Sequence, residues 1–162
     1  MKVLKVWRYF VGSAQRMKEV AKLITDGEQK IVVLSAMSGT TNTLVEISDY
    51  LYKKNPEGAN EIINRLEAKY KQHVNELYST DEYKQKTQEF IKAQFDYIRS
   101  YTKDIFTLFE EKVILAQGEL ISTNMVTNYL QEQGVNPSYF RHWNSCARTR
   151  TSEPDPVIYQ RK

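Results

Sequence analysis

Cysteine is nearly missing from this chain of 162 residues, since Cys146 is its only one. A single cysteine excludes an intramolecular disulfide. Long hydrophobic runs are missing too, because no apolar stretch approaches the roughly 20 residues that a membrane-spanning helix needs. Residues 1–5 are too few and too charged for a signal peptide. Together these features predict a cytoplasmic protein that does not contact a membrane.

Side chains for metal binding or nucleophilic catalysis are also scarce. The chain has two histidines, and His73 lies in a charged stretch with helical spacing. His142 shares an unusual C-terminal segment with the lone cysteine. No residues have metal-ligand spacing, and no Ser/His/Asp or Cys/His arrangement is supported. The sequence therefore predicts no metal site and no activated serine or cysteine.

The net charge of +3 belongs to one segment. Residues 138–162 carry five Arg or Lys against two acidic residues, whereas residues 1–137 are balanced. Such an asymmetry is one sign of nucleic-acid contact. One hypothesis is therefore a non-catalytic domain whose basic tail binds nucleic acid, with an affinity that falls steeply with salt.

The first third of the chain alternates between strand and helix patterns. Residues 2–6 form a short predicted strand, and an amphipathic helix follows to about Asp26, with Ser13 as its N-cap. Residues 30–36 contain the continuous apolar run of a strand buried on both faces. A turn and a further helix come next. This order predicts an α/β fold with a parallel sheet.

The middle of the chain is helical throughout. Helices are predicted over residues 59–78 and from 81 to about 100, and helical spacing continues through residues 105–109 toward Val113. Another helix is predicted from 113 to 133, closed by Gly134. The α/β frame thus carries a predicted helical insertion over about residues 58–112.

Two motifs could bind a ligand. Residues 35–42 lie where a buried strand ends and a helix begins, a place that favours anions, although an ordinary capped turn has the same pattern. Glu119 is an acid in an otherwise apolar helix. If it is partly buried, it needs a cationic partner such as a ligand's ammonium group. A solvated helix position explains it equally well.

The ordered motifs of this chain resemble the aspartate kinases. That family begins with a strand and Lys-Phe-Gly-Gly-Thr-Ser-Val-Gly-Ser, whose two flanks match residues 1–5 and 11–13. Its second loop matches Val-Leu-Ser-Ala-Met-Ser-Gly-Thr-Thr-Asn at 33–42. Its third motif matches Gly118-Glu119-Leu120 with Ser122-Thr123, and residues 152–155 resemble a further segment. The similarity covers nearly the whole chain.

The resemblance implies a fold and a reaction. The chain would be the N-terminal portion, residues 1–162, of one amino-acid-kinase domain. The fold would be a partial three-layer α/β structure with a parallel sheet. The nucleotide-binding half and the regulatory domains would be absent from it. The reaction is phosphorylation of the L-aspartate side-chain carboxylate by ATP with Mg²⁺, giving 4-phospho-L-aspartate, in a protein that is a homo-oligomer.

The resemblance also implies residue roles. Lys5 would stabilise charge on the transferred phosphoryl group, and Glu119 would bind the ammonium group of aspartate. Ser35 and Thr41 would hold its carboxylates. A phosphate loop would comprise Gly12, Ser13, Ser38, Gly39 and Thr40. Another amino-acid kinase that acts on a carboxylate or phosphate acceptor is the alternative within the same fold.

Residues 6–10 depart from the family. Where it has Phe-Gly-Gly-Thr-Ser, this chain has Val-Trp-Arg-Tyr-Phe. Glycines allow the backbone to approach phosphate oxygens closely, and bulky side chains block that approach. This departure predicts that the chain as written lacks kinase activity.

A reading-frame shift would explain the departure. The codons TTT GGA GGT ACT TCx encode Phe-Gly-Gly-Thr-Ser, and one G placed before them gives GTT TGG AGG TAC TTC. That reads Val-Trp-Arg-Tyr-Phe, as at residues 6–10, and the loss of one base then restores the frame at Val11. Shifted codons for residues 138–151 likewise give an apolar strand followed by a polar turn. Both tryptophans, the lone cysteine and the charge excess fall in segments 6–10 and 138–162. We therefore hypothesise that both segments are frame-shifted.

Overall fold

The computed structural model describes residues 2–103, 105–139 and 158–161. Strands and helices alternate at first, as the sequence predicts, and long helices follow. In chain order the elements are β1 (Lys2–Val6), α1 (Ala14–Ile24), β2 (Lys30–Leu34), α2 (Thr40–Tyr52), α3 (Pro56–Leu77), α4 (Asp81–Ser100), α5 (Leu108–Glu132), β3 (Pro137–Tyr139) and β4 (Ile158–Arg161).

Within the described residues the sheet has four strands, in the order β1-β2-β4-β3. Strands β1 and β2 are parallel, with Lys2 opposite Lys30 and Val6 opposite Leu34. Helix α1 makes the crossover that a parallel pair requires. The predicted parallel pair is confirmed. The sheet as a whole is mixed, however, since β4 runs antiparallel to both β2 and β3. The sequence did not indicate β3 and β4, because their residues lack an apolar strand pattern.

The helix ends follow local side-chain chemistry. The hydroxyl of Ser13 accepts a hydrogen bond from the Arg16 backbone N–H at 3.3 Å, which confirms the predicted N-cap of α1. Helix α5 begins at Leu108, where Thr107 and Glu110 form a reciprocal capping box. The predicted helical spacing is therefore confirmed over 108–113 but not at 105–107, and the helix predicted to start at 113 begins at Leu108. A cap at Thr107 satisfies the free N–H groups of a new helix and interrupts the old one.

Helix α5 lies at the centre of the described fold. It packs against α1, α2, α4 and strand β2, while α3 packs against α1, α2 and α4. Each fully buried aliphatic or aromatic side chain stabilises the fold by roughly 1.5–3 kcal/mol before the entropy cost is counted. The largest of them are Tyr70, Phe95, Met17, Leu34, Met37, Leu44, Ile47, Ile63, Leu77, Ile91, Ile98 and Ile114. The region predicted as a helical insertion corresponds to α3, α4 and the start of α5.

Part of the C-terminal segment lies outside the described residues. That part, 140–157 and 162, holds most of the predicted frame-shifted and nucleic-acid-binding tail and the family-like segment 152–155. Among the helices that are described, none combines the length and the apolar character needed to cross a membrane.

Candidate functional site

The β2–α2 loop, residues 35–39, lies at the carboxyl end of strand β2. Its first N–H, on Ser35, donates to the Val6 carbonyl at 3.0 Å, which extends the parallel pairing by one step. Its last residue, Gly39, has a φ of +82°, a conformation that non-glycine residues rarely adopt. This turn directs the N-terminus of α2 toward the end of the strand. Open α/β sheets bind ligands at this kind of place.

Helix α5 contacts this loop directly. The Ser122 hydroxyl donates to the Ser35 carbonyl at 2.8 Å, although the two residues are 87 positions apart. A Cβ on Gly118 would lie 2.8 Å from the Ala36 Cβ and 3.2 Å from the Thr40 Cγ2. Only glycine therefore allows the helix to approach the loop this closely. The fold thus brings together the two motifs that the sequence singled out.

Glu119 is half-buried at this contact. Its Oε2 atom is buried and has no hydrogen-bond partner among the described residues. Burial raises the pKa of the Glu119 carboxyl, and the backbone N–H groups of Glu119 and Ala36 offset part of that rise. The interpretation of Glu119 as a freely solvated residue is therefore wrong. A buried carboxylate oxygen without a partner is suited to accept from a cationic ligand group.

Helix α3 contacts the other end of the loop through two neighbouring residues. The Lys69 ammonium donates to the Ser38 carbonyl at 2.9 Å. The Tyr70 hydroxyl lies 2.9 Å from the Thr40 hydroxyl, in a fully buried hydrogen bond. The sequence analysis singled out neither residue. A signal for Tyr70 was available in the sequence. A tyrosine in the apolar stripe of a helix is expected to be buried, and its hydroxyl then requires a hydrogen-bond partner.

Residues 7–12 form a tight turn where the family has its glycine loop. The Phe10 N–H donates to the Trp7 carbonyl at 2.9 Å, and the Gly12 N–H donates to the Tyr9 carbonyl at 3.4 Å. The Ser38 hydroxyl donates to the Arg8 carbonyl at 3.1 Å. These N–H groups are therefore engaged within the protein. The turn does not present them to a phosphate.

Two cations stack on aromatic rings of this turn. The Lys5 ammonium lies 4.9 Å from the centre of the Trp7 ring. The Arg16 guanidinium lies 3.6 Å from the Tyr9 ring, and its Nη1 donates to the Tyr9 carbonyl at 3.1 Å. Contacts of this kind stabilise by about 0.5–1 kcal/mol each at exposed positions. Lys5 is thus engaged by Trp7 on the exposed side of β1.

The predicted site residues fall into two groups. Ser35, Ser38, Gly39, Thr40 and Glu119 lie on the β2–α2 loop, at the start of α2 or against them, and Thr41 is exposed in the first turn of α2. Lys5, Gly12 and Ser13 belong to the β1–α1 side. There, the Ser13 hydroxyl is engaged as an N-cap. A Cβ on Gly12 would meet the Ser38 hydroxyl oxygen at 2.8 Å, so this turn packs tightly on the loop.

The described residues do not identify where ATP or Mg²⁺ would bind. The described residues contain no group of three His, Cys, Asp or Glu side chains placed to hold a metal ion. In the 7–12 turn the Phe10 and Gly12 N–H groups are bonded within the turn, and bulky side chains stand where the family has glycines. We therefore derive no catalytic step through nucleotide or metal from these residues.

Comparison with known proteins gives a fold. No protein-family model and no curated protein matches the sequence. Among solved structures, the chain is similar to E. coli aspartokinase III in complex with aspartate and ADP, in its R-state. The TM-score is 0.67 at 20% identity, over 83% of this chain and 30% of that one. The chain thus spans about a third of the neighbour's length and has an aspartokinase-like fold.

Proposed function

We propose that this chain is the acceptor-binding portion of an aspartokinase-type amino-acid kinase. Such an enzyme transfers a phosphoryl group from ATP to the side-chain carboxylate of L-aspartate. The observation that carries the proposal is the half-buried Glu119 carboxylate, with its buried and unpartnered Oε2, against the loop at the end of β2. The fold similarity supports it, since the neighbouring structure is an aspartokinase with aspartate bound.

The proposed binding mode follows from charge. Glu119 accepts hydrogen bonds from the ammonium group of aspartate, which supplies the cation that the buried carboxylate lacks. Ser35 and Thr41 donate hydroxyl hydrogen bonds to its carboxylates, at the positive N-terminal end of α2. Another amino-acid kinase with a different acceptor remains the alternative, because an ammonium site on Glu119 does not specify the acceptor's side chain.

Binding of ATP requires residues outside the part of an aspartokinase that this chain covers. We propose that ATP and Mg²⁺ bind residues of a longer, homo-oligomeric cytoplasmic enzyme, corresponding to the neighbour's length that this chain does not cover. Lys5 would face the phosphoryl group only if the 7–12 turn were replaced by a glycine loop. Phosphoryl transfer depends mainly on positioned charges and N–H donors, so we expect the chain with this turn to bind aspartate without transferring a phosphoryl group.

We propose a reading-frame shift as the origin of residues 6–10, as the codon comparison suggests. The coding DNA tests this directly. We expect the adjacent frame over codons 6–10 to encode Phe-Gly-Gly-Thr-Ser, and a shifted frame over codons 138–151 to encode an apolar strand. Codons that give neither peptide in any frame would rule out the shift. Binding of aspartate does not depend on this result.

A ligand titration tests the proposed function. We expect L-aspartate to shift the ¹⁵N–¹H signals of Ser35, Gly39 and Thr41 in the full chain. Succinate, which has the same two carboxylates without the ammonium group, should bind much more weakly. Glu119→Gln should abolish the preference for aspartate over succinate. The matched control is Glu61→Gln, a change of the same kind at an exposed position on α3, which should leave binding unaltered.

Two results would contradict the proposal. One is the absence of any shift at the loop up to high millimolar L-aspartate. The other is equal binding of aspartate and succinate by the unaltered chain, since recognition would then not involve the ammonium group.

A further inference from the structure

Helix α3 presents two consecutive residues to the β2–α2 loop. Lys69 holds the Ser38 carbonyl at 2.9 Å, and Tyr70 holds the Thr40 hydroxyl at 2.9 Å. The two contacts lie on either side of Gly39, the residue whose positive φ makes the turn. The helical region between α2 and α5 is thereby joined to the loop that precedes Thr41. Core packing of α3 alone does not require this double contact.

The positive charge of Lys69 is not paired with a carboxylate among the described residues. Its side chain is half-buried, and within the described ranges it has no carboxylate partner, whereas Lys71 on the same helix pairs with Glu67 at 2.7 Å. The Lys69 ammonium also lies close to Gly39, at the start of α2, where the helix dipole is positive. A cation at the positive end of a helix is unfavourable unless an anion binds nearby.

A negative charge that lacks a cationic partner within the described part of the chain, the Glu119 carboxylate, lies against the same loop. The Glu119 carboxylate is close to the Ala36 N–H, and its buried Oε2 atom has no partner among the described residues. Burial raises the pKa of the Tyr70 hydroxyl, and the nearby negative charge of Glu119 raises it further. A zwitterionic amino acid has the complementary charges, because its ammonium group suits Glu119 and its carboxylate suits the α2 N-terminus. Helix α5 contacts the loop on the side of Glu119, and helix α3 contacts it on the side of Lys69.

We propose that Lys69 and Tyr70 are positioning residues of the amino-acid site. They act through the loop: their hydrogen bonds fix Ser38 and Thr40, and thereby the first turn of α2 and the Thr41 hydroxyl that meets the carboxylate. The Lys69 charge further favours an anionic group at that turn. The inference rests on the proposed function. It adds that the helical region sets the affinity of the site for a dicarboxylic amino acid.

Substitutions at position 69 separate positioning from general stability. Lys69→Met keeps the length of the stem and removes the donor and the charge, whereas Lys69→Arg keeps both. Removing the Lys69 charge, which lies next to Gly39 at the start of α2, takes away its attraction for an anionic group at that turn. We expect L-aspartate to bind Lys69→Met about tenfold more weakly and Lys69→Arg within about threefold of the unaltered chain.

Two companion variants make the test specific. Tyr70→Phe removes only the hydroxyl that holds Thr40, and should also weaken binding. Lys71→Met is the matched control, since it removes the same charge two residues away and breaks an ion pair with Glu67. It should lower the melting temperature and leave aspartate affinity unaltered. Lys69→Met should weaken aspartate binding and shift the Gly39 and Thr41 amide signals, whatever its effect on the melting temperature.

Three outcomes bear on the inference. Weaker binding by Lys69→Met, rescue by Lys69→Arg and unaltered affinity in Lys71→Met would support it. Unaltered affinity of Lys69→Met in a chain whose binding still depends on Glu119 would overturn the inference and leave the proposed function standing. No binding by the unaltered chain, or binding independent of Glu119, would overturn both.

Discussion

At Glu119 the proposed ligand binding and the stability of the fold would depend on the same carboxyl group. Burial raises its pKa above the ordinary value of 4.5, so the folded state holds this proton more tightly than the unfolded chain does. The unfolding free energy should therefore fall as pH rises through the folded-state pKa of Glu119. Aspartate affinity should rise over the same range, because only the ionised carboxylate attracts an ammonium group.

Glu119→Gln isolates this effect. We expect the variant to be as stable as the unaltered chain near pH 4 and more stable at neutral pH, as measured by denaturant unfolding across that range. Other acids act in the opposite direction at lower pH, since hydrogen bonds from Lys30 and Lys92 lower the pKa values of Asp26 and Asp96. A stability difference between the two proteins that does not vary with pH would contradict the assignment.

At the scale of elements, the packing of α5 on the β2–α2 loop depends on Gly118. A methyl group there would lie 2.8 Å from the Ala36 Cβ, an atom fixed to the backbone. Alanine favours a helix by about 1 kcal/mol over glycine, but overpacking costs about 1–3 kcal/mol. We expect Gly118→Ala to destabilise the fold by about 1–2 kcal/mol and to weaken aspartate binding. Denaturant unfolding and the ligand titration measure the two effects.

A second substitution checks the cause. If the clash with Ala36 is responsible, the double variant Gly118→Ala with Ala36→Gly should recover part of the lost stability. The two changes should then be non-additive, as expected for residues in contact. Additive losses would show that Gly118 matters for a reason other than this contact.

At the scale of the whole molecule, we expect the chain as it stands to release no ADP in an aspartate-dependent assay. The Phe10 and Gly12 N–H groups are bonded within the 7–12 turn, and Lys5 is stacked on Trp7. Loss of even one preorganised donor typically costs about 10²–10³ in rate. Restoring Phe-Gly-Gly-Thr-Ser at 6–10 should not give activity alone, because the chain spans only 30% of the aspartokinase neighbour.

Activity should return only when that loop, an unshifted 138–151 segment and the nucleotide-binding portion are supplied together. Glu119→Ala in that restored enzyme is the control and should lose activity. Measurable ADP release by the unrestored chain, or full activity of the control, would show that the chemistry belongs to other residues.

The sequence by itself determined the elements with strong local signals. The apolar run at 30–34, the Ser13 cap and the amphipathic stripes of α3 and α4 each depend on neighbouring residues, and the structure has all of them. Family-like motifs also indicated the loop and Glu119 before any geometry was known. Local patterns did not reveal the break before α5 or the antiparallel β3 and β4, since caps and sheet partners compete with helical spacing.

Only the tertiary structure decided how these parts meet. Ser35 and Ser122 are 87 positions apart, and their hydrogen bond exists because α5 packs against the end of β2. No local pattern in the sequence distinguishes Lys69 from the other lysines. Its hydrogen bond of 2.9 Å to the Ser38 carbonyl exists because α3 packs beside the loop. The burial of the Glu119 Oε2 atom, which has no hydrogen-bond partner among the described residues, likewise depends on how α5 packs on the loop. Contacts between distant segments depend on the whole packing arrangement, which no local pattern specifies.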